Sequence, residues 1–296
     1  ARAQGRSDTP WAQIAGDAQA AILPTSGASA PSKGAVLTHG ALRAAVASSL
    51  ALVDLREGDE RLSLMAASHA FERVFGLYAC LVAGVVVNFP ESAETAFANL
   101  RELQPQIVSG PPALWTRIAG FLAQASTDAT PLQRNLYQRA MRTRGALADF
   151  FVLNKVRRDL GLGRVRLALS GGAPLAADVQ ATLAALGAPV ADVYTLAESA
   201  GPIAIASGAP REFALAPGVG VEIGSDGEIR LRAPALFSGY AGAPARPDDW
   251  HASGDVGAAR SGGFTLHGAL EAMAGEGQKR FSTLTVEHAL SASPYV

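Results

Sequence analysis

The sequence predicts an α/β protein: a mixed or parallel sheet flanked by helices to about residue 207, then a smaller β-rich region to about 267. Two observations predict it. Short apolar runs alternate with helical stretches through the first two hundred residues, and several of them end in loops of small residues. After Ser207 the helical period disappears and Gly or Pro recurs every few residues.

Residues 1–17 read as a polar lead-in, and a strand at about 19–24 enters the loop Thr25 to Gly34, T-S-G-A-S-A-P-S-K-G. An apparent helix follows that loop, with Thr38 as N-cap and an end near Leu55, before Glu57-Gly58-Asp59. Arg61 to Ala67 alternates weakly as a strand, His69 to Ala83 is helical, and Val85 to Phe89 is a buried strand. Ser92 to Leu103 is a helix and Gln106 to Ser109 a strand ending at Pro111-Pro112. Ala113 to Leu160 is helical, broken near Ser126-Thr127-Asp128 and Gly145. Val165 to Leu169 is a strand, Pro174 to Leu186 a helix and Val190 to Tyr194 a strand. Short strands follow at Val219 to Ile223, Gly227 to Leu231 and Phe264 to His267, with one more helix at Thr285 to Ser291.

With 49% hydrophobic and 17% charged residues the chain is globular rather than disordered. A formal net charge of −1 gives no global field for nucleic acid or anionic membrane. The basic run Lys155 to Arg158 reads as a solvated helix face. The single Cys80 rules out an internal disulfide and a cysteine-pair zinc site, and its apolar run predicts a buried, inert thiol. No apolar stretch reaches the ~20 residues that span a bilayer and no secretory signal is visible, so the expectation is a cytoplasmic protein.

The loop Thr25 to Gly34 has the make-up of a phosphate cradle: small residues that let backbone N–H groups converge, hydroxyls, and one lysine. A Ser/Gly/Pro-rich surface loop is the commoner origin of such a stretch, and no Walker pattern is present. Four further stretches are notable: Ser68-His69-Ala70-Phe71-Glu72-Arg73, Ser170-Gly171-Gly172-Ala173-Pro174, Tyr194-Thr195-Leu196-Ala197-Glu198 and Ser253-Gly254-Asp255. Read alone, Glu198 is a loop carboxylate after a strand, Asp255 a turn aspartate, and His69 a core histidine on an apolar face.

Taken in order, the five stretches resemble those of the AMP-forming adenylate ligases: acyl- and aryl-CoA synthetases, luciferase and the adenylation domains of peptide synthetases. Phe71-Glu72-Arg73-Val74, Asp226-Gly227-Glu228-Ile229, Gly239-Tyr240 and Lys279-Arg280-Phe281-Ser282 are most similar to the long-chain fatty acyl-CoA synthetase branch. The resemblance implies ATP-dependent activation of a fatty acid or other carboxylic acid to an acyl-adenylate, then transfer to CoA or a carrier-protein thiol, with Mg²⁺. It implies Thr25, Ser26, Gly27, Ser29 and Lys33 on the phosphates, and Glu198 on Mg²⁺, with Glu198 and Lys33 as the catalytic pair. Gly171, Gly172, Ala173, Pro174, Tyr194 and Thr195 fall on the nucleoside, with the Tyr194 ring on adenine and Asp255 on the ribose; His69, Phe71 and Gly172 fall on the acyl substrate.

Departures from the family pattern stand at Ala28, Ala30, Ser32, Thr195 and Ala197, and no arginine occurs near Gly268 to Glu271. The similarity starts near residue 20 and corresponds to the middle and late part of the family's length, so residues 1–207 read as a partial α/β core, 208–267 as the β-rich subdomain and 268–296 as the beginning of a small α+β C-terminal domain. A further segment or a partner chain is expected to complete the fold. The alternative reading is a degenerate relative that binds nucleotide or acyl chain, or serves as a scaffold.

Overall fold

The computed structural model describes residues 13–25, 31–128, 130–143, 152–208, 211–246, 249–275 and 281–283. Its centre is an eleven-stranded mixed sheet of order β10-β11-β13-β14-β9-β8-β7-β6-β5-β3-β4. Strands β3 (Glu60–Leu62), β4 (Val86–Asn88), β5 (Ile107–Gly110), β6 (Leu167–Gly171) and β7 (Val190–Thr195) pair in parallel. From β8 (Pro202–Ser207) onward every pairing is antiparallel, through β9 (Glu212–Leu215), β10 (Gly220–Ile223), β11 (Glu228–Arg232), β13 (His251–Arg260) and β14 (Gly263–Ala269).

The parallel half is sheathed by helices, as strands buried on both faces require. Trp115 and Ile118 of α4 (Pro112–Asp128) and Leu183 of the helix Ala177–Ala185 are fully buried with Val108, Ala168 and Val190. Cys80 is fully buried, as expected, and burial pushes its thiol up to about 11. Helices run close to expectation elsewhere: α1 covers His39–Leu52, and Thr38 caps it by accepting from the Ala41 N–H at 3.1 Å.

Two local features differ from the sequence reading. The loop after β1 (Gln19–Pro24) leads into a strand, β2 (Gly34–Thr38), which pairs antiparallel with β1 before α1 begins. Ala35 and Leu37 alternate into the core, so this stretch carries the strand period that an apparent helix would lack. The two-residue strand β12 (Gly239–Tyr240) adds to the same small sheet, Tyr240 opposite Ala35. Secondly, Glu72–Ala79 forms a π-helix, a rare geometry that recurs at functional sites.

Beneath that π-helix lies a wholly buried ion pair. Arg61 donates to both carboxylate oxygens of Glu72 at 2.8 Å, to the Gly76 carbonyl at 2.7 Å and to Ser109 at 3.0 Å, while Ser63 donates to Glu72 at 2.6 Å. A desolvated charge needs this density of partners. The predicted helix at 285–291 lies outside the described residues.

Candidate active site

The parallel strands end at one cavity of about 560 Å³. Its wall takes Leu64 and Met65 after β3, Pro111 after β5, Gly172 after β6, Thr195 to Glu198 after β7, and Pro24 and Thr25 from the hairpin. Ligand sites outside the carboxyl ends of strands are the rule for open α/β sheets. A second cavity, of about 460 Å³, holds Ala173, Pro174, Tyr194 and Asp255, and shares Gly172, Thr195, Leu196 and Ser253 with the first.

Thr25 and Lys33 close the loop between them. The Thr25 N–H donates to the Lys33 carbonyl, and the Lys33 N–H to the Thr25 hydroxyl, each at 2.9 Å. Ser26, Gly27 and Ser29 lie outside the described residues. The Lys33 ammonium sits over the Tyr240 ring, 4.9 Å from its centroid. The Tyr240 hydroxyl in turn donates to Glu198 Oε1 at 2.7 Å. Tyr240 is thus a site residue that the sequence reading met only as part of a family motif. What brings it here is the pairing of β12 with β2.

Glu198 is buried, in a turn tied by Ser199, which accepts from the Leu196 N–H at 3.0 Å and donates to the Gly201 carbonyl at 2.9 Å. Ala200 completes the turn at φ +61°, a left-handed conformation uncommon for alanine. Just before it, the β7–β8 register shifts between Tyr194 and Thr195, a bulge of the kind that re-aims side chains beside active sites. The Thr195 hydroxyl is buried there without a hydrogen-bond partner.

Tyr194 is buried, its ring edge-on to Phe264 at 5.1 Å and to Phe213 at 5.8 Å. Its hydroxyl donates to Asp255 Oδ2 at 2.6 Å, so it reaches the second carboxylate directly. Burial pushes the Asp255 carboxyl up to about 6, against the Tyr194 hydrogen bond, which holds it down. Gly254, at φ +77°, turns the chain so that Asp255 starts its pairing with Ala269.

His69 lines the first cavity, with Nδ1 accepting from the Phe71 N–H at 3.3 Å, and burial lowers its pKa. Phe71 lies elsewhere than on the wall: it is fully buried, stacked on Phe75 at 5.1 Å between ring centroids. It packs behind Gly171, where a Cβ would meet its ring at 2.9 Å. Gly172, at φ +95°, brings the backbone so near His69 Nε2 that a Cβ would stand 3.3 Å from it. Those two close approaches account for the glycine pair.

Residues 2–241 match the AMP-binding enzyme family. The chain belongs to that family. Among its relatives, the long-chain-fatty-acid–CoA ligase FadD15 of Mycobacterium bovis is 28% identical over 94% of this chain and 51% of its own length. The peroxisomal long chain acyl-CoA synthetase 7 of Arabidopsis thaliana is 30% identical over 88% of this chain and 42% of its own. The chain therefore spans about half the length of the curated relatives it matches. In fold it is similar to the O-succinylbenzoate coenzyme A synthetase of Bacillus subtilis, solved in complex with ATP and magnesium ion, with a TM-score of 0.70, 18% identity, and coverage of 96% of this chain and 57% of that one. No helix among the described residues is long and apolar enough to cross a membrane.

Among the described residues, no group of three His, Cys, Asp or Glu side chains forms a metal cage. A lone carboxylate suits Mg²⁺ nonetheless, since that ion is usually held by one or two carboxylates, water and substrate phosphates. Glu198, with Oε1 fixed by Tyr240, fits that description.

Proposed function

We propose that this chain forms the nucleotide- and acid-binding part of a ligase that activates a fatty acid with ATP and passes the acyl group to CoA or a carrier thiol. The observation that carries it is the convergence of Thr25, His69, Gly172, Thr195 and Glu198 on one cavity that shares a wall with the cavity of Asp255. In the first half-reaction a carboxylate oxygen of the acid attacks the α-phosphorus of ATP, the new P–O bond forms, and the α–β anhydride breaks to release pyrophosphate. In the second, the thiol sulfur attacks the acyl carbon and AMP leaves.

Thr25 and Lys33 hold the phosphates, together with the loop residues Ser26, Gly27 and Ser29 that the family resemblance adds. Glu198 is the residue that would hold Mg²⁺, which when bound offsets charge on the phosphates. Tyr240 fixes its orientation from below. Gly171 backs the turn Gly172-Ala173-Pro174, which faces the nucleoside, and Thr195 stands on the wall that the two cavities share. Tyr194 takes one oxygen of Asp255 and leaves the other for the ribose hydroxyls. His69, held neutral by burial, sits where the carboxyl end of the acid enters, and Phe71 supports it from the core. In this reading residues 1–207 bind nucleotide and acid, 208–267 supply Asp255, and 268–296 open a C-terminal domain.

ATP–pyrophosphate exchange tests this reading on the protein in its natural length. The expected result is exchange that requires both Mg²⁺ and a fatty acid, with a thermal shift on adding Mg²⁺·ATP. No exchange with any acid and no shift with Mg²⁺·ATP would overturn it.

A further inference from the structure

The turn that faces the nucleoside cavity is gripped at one peptide unit from two sides. Leu175, the residue after Pro174, is fully buried, so its backbone polar groups need partners inside the protein. Its N–H donates to Asp192 Oδ1 at 3.4 Å, and its carbonyl accepts from Arg211 Nη2. The two side chains also meet each other, Arg211 Nε standing 2.5 Å from Asp192 Oδ2. That contact is electrostatic, without the alignment of a hydrogen bond, which frees Nη2 for the carbonyl.

The partners come from opposite halves of the sheet. Asp192 is on β7, the last parallel strand, and lines the second cavity, while Arg211 immediately precedes β9 on the antiparallel side. Asp192 is almost wholly buried, with 3% of its side chain exposed, and burial pushes its carboxyl up to about 6 against the pull of Arg211. A carboxylate so placed costs stability unless it is compensated, and an apolar residue would fill the site at less cost. Charge at this point therefore calls for a role beyond packing.

We infer that Asp192 and Arg211 are a positioning pair that sets the Gly172–Leu175 turn, and through it the affinity of the site for the nucleoside. The inference rests on the ligase reading only in taking the cavity's ligand to be a nucleotide. The planar guanidinium serves two acceptors at once, a geometry that an ammonium cannot reproduce. Arg211→Lys should keep the ion pair and lose the carbonyl contact, whereas Asp192→Ala, which removes the acceptor as well as the charge, should release both.

Three measurements on the full-length protein test the pair. Hydrogen exchange should show the Leu175 amide exchanging at least tenfold faster in Asp192→Ala, with the amides of β5 unchanged. Calorimetric titration with AMP should show affinity about tenfold weaker in Arg211→Lys at a melting temperature within a degree or two of the parent, which a merely structural role would not produce. In Arg211→Lys/Asp192→Ala the loss of affinity should be less than the product of the single losses, since both act on one peptide. Unchanged exchange at Leu175 in Asp192→Ala would overturn the clamp whether or not any nucleotide binds. Parental AMP affinity in a folded Arg211→Lys would overturn its positioning role. Absence of AMP binding by the parent protein together with faster Leu175 exchange would leave the clamp standing and count against the ligase reading instead.

Discussion

Two tyrosine–carboxylate pairs stand about the two joined cavities, and they are built in opposite ways. Tyr194 and Asp255 belong to long paired strands, and the tyrosine ring is set edge-on against the stacked rings of Phe213 and Phe264. Tyr240 and Glu198 belong to a two-residue strand and a turn, and the half-buried tyrosine has the exposed Lys33 on its face. The first pair is anchored in the core through its tyrosine and the second, through its half-buried tyrosine, is held at the rim, although Glu198 is itself buried and Asp255 partly exposed. Local stability differs accordingly, since elements with few buried apolar contacts open more readily than core strands. A pair on short elements suits an ion which arrives with its substrate; a pair on long strands suits a hydroxyl pair whose position does not change.

The largest expected effect lies at the rim. Glu198→Gln keeps the shape and the Tyr240 contact but removes the charge. Under the proposed function, exchange should fall by roughly 10²–10³-fold, because a metal-binding charge supplies several kcal/mol to the transition state. Binding of adenosine, which needs no ion, should stay within about twofold. Full exchange activity in the variant would remove Glu198 from the metal site and break the contrast between the two pairs.

The core pair is expected to respond to pH. Asp255 titrates near 6 in the folded chain, above its ordinary value of 3.8, because burial penalises its charged form. The folded state therefore holds a proton that the unfolded state has released between about pH 4 and 6, so this group's contribution to stability declines as pH rises through that window and is level above it. Asp192, also near 6, acts in the same range, so Asp255→Asn should reduce the slope of stability against pH without abolishing it. Urea denaturation from pH 4 to 7 measures this. Adenosine affinity should move the other way, rising about tenfold per pH unit up to pH 6 as the ribose acceptor ionises. A pH-independent affinity would separate Asp255 from the ribose.

What was legible in the sequence follows from where the physical signal resides. Val190 to Tyr194 and Gln106 to Ser109 centre on β-branched residues (Val190 and Val193, Ile107 and Val108), and both become buried parallel strands. Pro202–Ser207 starts on a proline without an N–H, and His251–Arg260 is rich in Ala and Gly; neither has the propensity of a strand. Their neighbours on both sides impose the conformation. At the site, Glu198 after β7 and Asp255 within β13 were legible only through the family resemblance of their motifs, since each read alone is an ordinary loop or turn carboxylate. The pairing of Arg61 with Glu72, and of Asp192 with Arg211, was not legible, because each joins residues from separate elements and only the folded chain shows the partner. Tyr194 shows the same limit: its aromatic ring was legible as a site feature, but its burial against the stacked Phe213 and Phe264 depends on β9 and β14 lying beyond β8 in the same sheet.

Removing each tyrosine hydroxyl gives the smallest and most discriminating test. Tyr194→Phe leaves a part-buried carboxylate short of one donor, a loss of about 1.5–3 kcal/mol for a hydrogen bond to a charged group. Because that bond opposes the effect of burial, the midpoint of the adenosine pH profile should also move above 6. Tyr240→Phe removes a bond near solvent, where water can replace the donor, so the cost should be no more than about 0.5–1 kcal/mol. Its consequence should instead appear in the dependence of exchange on Mg²⁺, shifted to higher concentration because Glu198 Oε1 is no longer held. Chemical denaturation of both variants, read beside the Mg²⁺ titration, separates a core hydrogen bond from a rim one. Equal losses of stability at the two positions would show that the rim pair is as firmly built as the core pair.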